Sequence, residues 1–280
     1  MPAVSVPAIS VIVPVLDDAS RLAVCLDALA GQEGAADVEV VVVDNGSADD
    51  SVTVARSHPL QPVVVLESRR GSYAARNAGI AVSSGDRLAF TDADCVPTAR
   101  WVMSGSAFPA PLFGGAVLAE ASMTPTIWER YDRALYLRQD QLVAEQGFAA
   151  TANLWVDRAV LDAVGPFDPA LRSSGDLDWG RRAAAAGFVT AYAPEVAVRH
   201  RPRATLAQTW QLHRRLGAGW AALSARGDRP PPWRDRALVL PLGLVVDAVA
   251  ADGPPLRRRQ LAPVHAVASA ARVTGRLTGR

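Results

Sequence analysis

The sequence predicts an α/β fold: a mostly parallel sheet covered by helices, followed by a helical C-terminal extension. Apolar runs of strand length alternate with segments of helical period through residues 9–91, the pattern of a sheet buried on both faces. Aspartates recur where those runs end, and after Arg203 helical periodicity takes over.

Residues 9–13 form a β-branched run closed by Pro14, and Leu22, Leu26 and Leu29 then recur at helical spacing. Residues 38–43 are a second strand, ended by Asp44-Asn45-Gly46-Ser47. Ser47 with Asp50 three positions later reads as a capping box that opens a helix through Val52 and Ala55. Residues 63–66 are a third strand, and Gly71-Ser72 opens a helix through Ala74, Ala75 and Ala78. Ser84-Gly85-Asp86 then turns the chain into a fourth strand over residues 87–91, which ends at Asp92-Ala93-Asp94.

A chain of 280 residues with half of them apolar buries a large core, as one sizeable domain or as one domain plus an appendage. Cys25 and Cys95 have no metal-ligand spacing and form no disulfide framework, so a reducing cytosol is expected. All 29 basic residues are arginine, which reads as codon bias in a GC-rich genome. Net charge is +1 but polarised: from Arg199 onward 15 arginines face four aspartates, which is +11 and leaves −10 for residues 1–198. A basic tail of that kind favours anionic surfaces such as phospholipid headgroups. Nucleic acid is not expected, because no reading module or aromatic interleaving accompanies the charge.

Residues 8–16 are apolar but lack a positive leader and run into Asp17-Asp18, so no signal peptide is expected. Residues 237–250 are 14 long and broken by Pro241, Gly243 and Asp247, too short to span a bilayer. The expected location is cytoplasmic, peripheral at the inner face of the cell membrane.

Asp92 and Asp94 flank one small residue where a buried strand leaves the sheet. With a side-chain period of two they point the same way. Together they offer a hard, oxygen-rich site suited to Mg2+ or Mn2+, and through the ion to a pyrophosphate. Pro14, Asp44 and Asp92 all stand at carboxyl ends of strands, where open α/β sheets bind ligands. Each aspartate taken alone also reads as a turn former.

The order of motifs carries a resemblance. Val11-Ile12-Val13-Pro14, Val42-Val43-Asp44-Asn45-Gly46-Ser47-Ala48-Asp49, Ala75-Arg76-Asn77-Ala78-Gly79-Ile80 and Asp92-Ala93-Asp94 are followed by Thr151-Ala152-Asn153 and Val164-Gly165-Pro166-Phe167-Asp168. Gly175-Asp176-Leu177-Asp178-Trp179 then leads to Arg181-Arg182 and Gly187-Phe188. Over about residues 8–202 the chain resembles the family 2 glycosyltransferases, which have the GT-A fold. The resemblance implies a glycosyltransferase domain over residues 1–203, with a donor half to about 100 and an acceptor half from about 101 to 203. Residues 101–123, rich in Gly, Ala and Pro, read as the connection between the halves. Residues 204–280 form the basic helical extension.

Such an enzyme moves a sugar from a nucleotide-diphosphate sugar to an acceptor hydroxyl, with inversion at the anomeric carbon. The leaving diphosphate needs its charge neutralised, and the acceptor hydroxyl must lose its proton. The resemblance implies Mg2+ or Mn2+ held by Asp94, with Asp92 on the donor ribose or on the metal and its water, and His200 as a further ligand. Asp44 would bond the nucleobase or ribose beside the Pro14 and Val15 backbone, and Arg76 would approach the donor phosphates. Asp176 aligns with the general base, and Asp178 reads as a cap that pairs with Arg181 and Arg182. The acceptor is a glycan, a lipid-linked molecule or a small molecule.

Two positions depart from the family pattern: Gly175 stands where Glu or Gln is usual, and Asp17 where Asn is frequent. Gly175 favours one alternative, a non-catalytic scaffold that binds donor or is recruited to a membrane. A nucleotidyltransferase is a further alternative, but acidic Val15-Leu16-Asp17-Asp18 replaces the basic glycine-rich loop it needs. Arg199, Arg201 and Arg203 around His200 offer a second use, a clamp on a diphosphate or an acidic acceptor. Trp155, Trp179 and residues 128–136 have two readings, as aromatic faces for the acceptor sugar or as core; at the spacing of Trp128, Tyr131 and Leu135 core is favoured.

The tail reads as helices over residues 206–223, 237–250 and 261–277, with Arg229-Pro230-Pro231-Pro232-Trp233 as a stiff linker. Arg272, Arg276 and Arg280 recur every fourth residue beside Val267, Ala271 and Val273. That stripe is either a face for an anionic membrane or a solvated helix face packed on its neighbour.

Overall fold

The computed structural model describes residues 9–34, 38–120, 122–227 and 258–279. Contacts divide the chain into two units, one drawn from residues up to Leu118, Gln139–Ala170 and Gly175–His200, the other from Ala119–Arg138, Leu171–Ser174 and Arg201 onward. Segment Ala119–Arg138 thus belongs with the C-terminal helices.

The first unit is built on one sheet. Strands β1 (Ile9–Val15), β2 (Val38–Asp44), β3 (Val63–Leu66) and β4 (Arg87–Thr91) alternate with helices α1 (Ala19–Ala30), α2 (Ser51–Ser57) and α3 (Ser72–Val82). β1 pairs in parallel with β2 and β4, and β2 with β3. Val11, Ile12, Val13, Val41, Val42, Val43 and Phe90 are fully buried, because helices cover both faces of these strands and leave no polar side for alternation. α1 buries its predicted stripe, Leu22, Leu26 and Leu29, together with Cys25.

Beyond β4 the chain forms β5 (Cys95–Pro97), α4 (Trp101–Ala107), β6 (Leu112–Ala119), α6 (Gln139–Gln146), β7 (Asn153–Asp157), α7 (Arg158–Val164), α8 (Gly175–Ala185) and β8 (Ala191–His200), with α5 (Ile127–Leu135) in the other unit. The strand order is β3-β2-β1-β4-β7-β6-β8-β5. β7 runs antiparallel to β4 and β6, and β8 antiparallel to β5.

Residues 101–123 are therefore more than a connection, since they supply α4 and the inner strand β6. Their small residues mark tight packing. A Cβ on Gly105 would enter the Trp155 ring, and one on Gly115 would strike the Val196 carbonyl. Asn153 explains why these strands hold together. Its amide donates to the carbonyls of Ala116 and Val196, each at 2.8 Å. Its Oδ1 accepts from the indoles of Trp101 (2.9 Å) and Trp155 (3.2 Å). Asn153 is wholly buried, so this one side chain ties β7 to β6, β8 and α4.

The expected Ser47–Asp50 capping box is absent. α2 begins at Ser51 and Asp50 makes no side-chain cap. Asp49 serves instead: its Oδ1 accepts from the Ser51 amide at 3.0 Å, and its Oδ2 from Ala19 at 2.9 Å. Ser47 Oγ accepts from the Asp17 amide, so the loop is fastened to the start of α1 as well as to its own helix.

In the second unit α5 carries a full capping box between Thr126 and Glu129. It packs Tyr131 against Val264 and Ala268, with Ile127, Trp128 and Leu135 beside them. Trp128, Tyr131 and Leu135 thus pack at a core, as their spacing favours. α9 (Leu206–Ala225) and α10 (Arg258–Thr278) cross closely. A Cβ on Gly217 would strike the Arg272 carbonyl, and one on Gly275 the Arg214 carbonyl, so only glycine fits at both positions. Arg272 is turned inward, donating to Ser269 at 3.0 Å and lying 3.1 Å from His213 Nδ1. Arg276 sits over the Trp220 ring. The stripe read from Arg272 and Arg276 is thus drawn into helix packing; Arg280, the proline-rich linker and the helix read over 237–250 lie outside the described residues. Among the described residues no helix is long and apolar enough to cross a membrane.

Candidate active site

Parallel register places the ends of β1 and β2 side by side, with Val15 opposite Asp44. The Val15 carbonyl accepts from the Asn45 amide at 2.9 Å. The Asp44 carboxylate, 4 % exposed, accepts from the amides of Gly46 (3.0 Å) and Ser47 (3.2 Å). Asp44 therefore shapes the loop at its strand end, its turn-forming role. Asn45 fastens the next loop: its amide donates to the Glu67 and Arg69 carbonyls, and its Oδ1 accepts from Gly71. Asp17 adopts φ 52°, a left-handed conformation that Asn and Asp tolerate, and accepts from the Ala48 amide at 2.6 Å. The family's Asn and this chain's Asp thus suit the same backbone.

Asp92 and Asp94 occupy the tight turn between β4 and β5, closed by the Cys95 amide on the Asp92 carbonyl at 2.9 Å. Ala93 and Cys95 are buried while both aspartates are partly exposed, so the carboxylates share the outward side. Their partners differ. Asp92 is held by the Arg76 guanidinium. Asp94 Oδ2 lies 3.5 Å from His200 Nε2 and 3.8 Å from Arg21. The β5–β8 register sets His200 opposite Cys95, which brings the imidazole to Asp94.

Among the described residues no three His, Cys, Asp or Glu side chains gather to hold a metal ion. Asp92 accordingly does not complete the Asp94–His200 pair. The pair still fits a divalent cation whose other positions are filled by phosphate oxygens and water, as is usual for Mg2+. Its carboxylate and imidazole suit Mn2+ as well.

Arg76 is 3 % exposed, so it does not reach outward toward a ligand as expected. Its Nε is buried with no hydrogen-bond partner, and its guanidinium lies 5.6 Å from the Tyr73 ring centre. Tyr73 donates from its hydroxyl to Asp176 Oδ1 at 3.3 Å. Burial pushes the Asp176 carboxyl above the usual carboxylate range, opposed by the Arg76 charge and by the amide and phenol donors around it. Burial also pushes the Tyr73 phenol well up, so it stays a donor.

The remaining motifs hold these groups in place. Asn77 exchanges two hydrogen bonds with the Phe167 backbone, at 2.8 and 3.0 Å. The same loop is gripped by the Trp179 indole on the Gly165 carbonyl and by Arg182 on those of Val164 and Pro166. α3 and the start of α8 are thereby fixed to one loop. Asp178 pairs with Arg182 at 3.2 Å, the predicted bridge.

Some expectations are corrected. Trp155 and Trp179 are almost wholly buried with their indoles bonded inside the unit, so neither offers a face to a sugar. Of the three arginines read as a clamp, Arg199 does not join His200: it is exposed on the side of β8 opposite buried His200, as a strand's alternation requires. Arg203 is spent on Asp132 at 3.3 Å and on the Tyr136 ring, within the second unit. Tyr73 and Arg21 were missed. The one signal for Tyr73 was its spacing of three from Arg76 on a helix, and for Arg21 its spacing of three from Asp18.

The sequence model of glycosyl transferase family 2 matches residues 10–104. Glycosyltransferase AglE of Haloferax volcanii is 35% identical over 224 residues, covering 77% of this chain and 73% of its own. The pre-mycofactocin glycosyltransferase of Mycobacterium tuberculosis is 28% identical over 231 residues, of whose length the match spans 47%. Among solved structures, mannosyltransferase PcManGT from Pyrobaculum calidifontis, in complex with GDP-Man and Mn2+, aligns over 98% of this chain and 87% of its own, with a TM-score of 0.64 and 22% identity. Staphylococcus aureus TarS aligns over 97% of this chain and 90% of the solved fragment, with a TM-score of 0.55 and 18% identity.

Proposed function

This chain belongs to glycosyl transferase family 2, and we propose that it moves a sugar from a nucleotide-diphosphate sugar to an acceptor hydroxyl, with metal assistance and with inversion. The observation that carries the reading is the arrangement around one turn: Asp94 meets His200, while Asp92 meets Arg76, whose charge acts on Asp176. The Mn2+ and GDP-Man bound to the mannosyltransferase neighbour support the choice of ligands.

Asp94 and His200 would hold Mg2+ or Mn2+. When bound, the cation supplies charge neutralisation to the departing diphosphate. Asp44, with the Pro14 and Val15 backbone, borders the nucleoside. Arg76 holds Asp92 aimed at the donor side. Asp176 takes the proton of the acceptor hydroxyl as it attacks, a role suited to a carboxyl raised toward the working pH. A single displacement with one base gives inversion. Gly175 no longer favours a scaffold, because the Tyr73 ring fills the space beside it.

We assign residues 1–203 to the transferase domain and residues 204–280 to a basic extension that approaches anionic headgroups at the inner face of the membrane. Exposed Val273 and Leu277 on α10 and exposed Arg214 and Arg215 on α9 support that placement. A lipid-linked acceptor follows from it, with other glycans and small molecules as the wider class.

The test is release of nucleoside diphosphate by the full chain across UDP-, GDP- and dTDP-hexoses. At least one donor is expected to be hydrolysed with Mn2+ or Mg2+ and spared by chelator. A chain that neither binds nor cleaves any of them would sink the reading.

A further inference from the structure

We infer that Tyr73 is a positioning residue for Asp176, and that Tyr73 and Gly175 form one coupled pair. This rests on Asp176 being the base. The carrying observation is steric: a Cβ at position 175 would lie 2.6 Å from Tyr73 Cε2 and 2.7 Å from both Cδ2 and Cζ. The ring thus lies across the first turn of α8, in the space where the family's usual Glu or Gln would begin.

The ring is fixed from several sides. Phe167 stacks on it at 5.8 Å between centroids and 27° between planes, and the Arg76 guanidinium approaches it at 5.6 Å. Asn77 in turn fastens Phe167 through its backbone. Tyr73 is 5 % exposed, so it touches no acceptor. A buried hydroxyl is costly without a partner, and here it reaches Asp176 Oδ1 at 3.3 Å. The departure at Gly175 is therefore one half of an exchange. The side chain lost from α8 is replaced by a phenol from α3, which supplies both packing and a hydrogen bond to the carboxylate.

Three measurements on the full chain test this. In thermal unfolding, Gly175→Ala is expected to lower the midpoint and Gly175→Ala with Tyr73→Leu to lower it by less than the sum of the two single changes; additive losses would overturn the steric coupling. In carboxyl carbon NMR, with Asp176→Asn for assignment, Tyr73→Phe is expected to raise the Asp176 titration midpoint, since only the hydroxyl donor is removed while Arg76 and the Leu177 amide remain. An unmoved midpoint would overturn the hydrogen bond. In hydrolysis of the best UDP-, GDP- or dTDP-hexose with Mn2+, Tyr73→Phe is expected to lower kcat about tenfold with KM within about twofold. Unchanged kcat, or a change carried by KM, would overturn the positioning role. If the wild-type chain neither binds nor hydrolyses any of these donors, the transferase reading fails, while the unfolding and NMR results still decide the pair.

Discussion

His200 Nε2 stands 3.5 Å from Asp94 Oδ2 because β8 and β5 pair with His200 opposite Cys95. A strand from late in the chain, lying between β6 and the edge strand β5, thus delivers an imidazole to a carboxylate of the β4–β5 turn.

That pair predicts a specific defect for His200→Ala. The Mn2+ concentration needed for half-maximal donor hydrolysis should rise by at least about tenfold, given that losing even an outer partner of a metal site costs roughly 10–100-fold. Saturating Mn2+ should restore most of the rate. Metal titrations of both proteins make the comparison, and an unchanged requirement would remove His200 from the metal.

Asp176→Asn should separate chemistry from binding. Turnover is expected to fall by about 10²–10⁴-fold, the usual contribution of a positioned base, with donor affinity by calorimetry nearly unchanged. Stability should move the other way. Because the folded-state carboxyl is raised by burial, its contribution is present at low pH and lost as pH rises through the raised value. A neutral Asn avoids that loss, so the variant should melt higher than wild type at neutral pH. Loss of donor binding would show that the residue serves the donor instead.

Arg76→Gln removes the cation that opposes the burial of Asp176. The carboxyl should then titrate still higher, so the acidic limb of the rate profile should move to higher pH. Arg76→Lys should not rescue it fully, since an ammonium cannot reproduce a guanidinium lying on a ring and a carboxylate together. A limb that stays in place would mean that Arg76 does not act on the base.

Asn153→Ala should cost about 3 kcal/mol or more in denaturant unfolding, because buried indole N–H and carbonyl groups lose their partners together. Any activity lost should track the unfolded fraction. A stable but inactive Asn153→Ala would give this motif residue a direct part in the reaction.

The expected donor half was legible because β1, β2 and β4 are buried on both faces and read as near-continuous apolar runs. Asp44, Asp92 and Asp94 could then be placed simply by asking where each run stops. The acceptor half was less legible. β6 carries Gly114 and Gly115, which pack against Ala149 and Val196, and in one dimension glycines that pack look like glycines that turn. Trp155 and Trp179 had the composition of a sugar platform, yet their indoles satisfy Asn153 and the Gly165 carbonyl. The motif order named Asp176, but nothing local could show that Tyr73 replaces the side chain missing at Gly175. That substitution exists only once α3 and α8 are side by side.

The turn at Asp92–Asp94 crosses from the middle of the sheet to its far edge, since β4 lies centrally and β5 is the last strand in the order. Its two acids look like one unit in the sequence but are anchored to different neighbours. On the proposed roles, inherited changes in β8 would retune ion preference without disturbing how the nucleotide is read, and changes along α3 would do the reverse. Separate adjustment of that kind would give a lineage room to exchange one activating ion for another while keeping its donor.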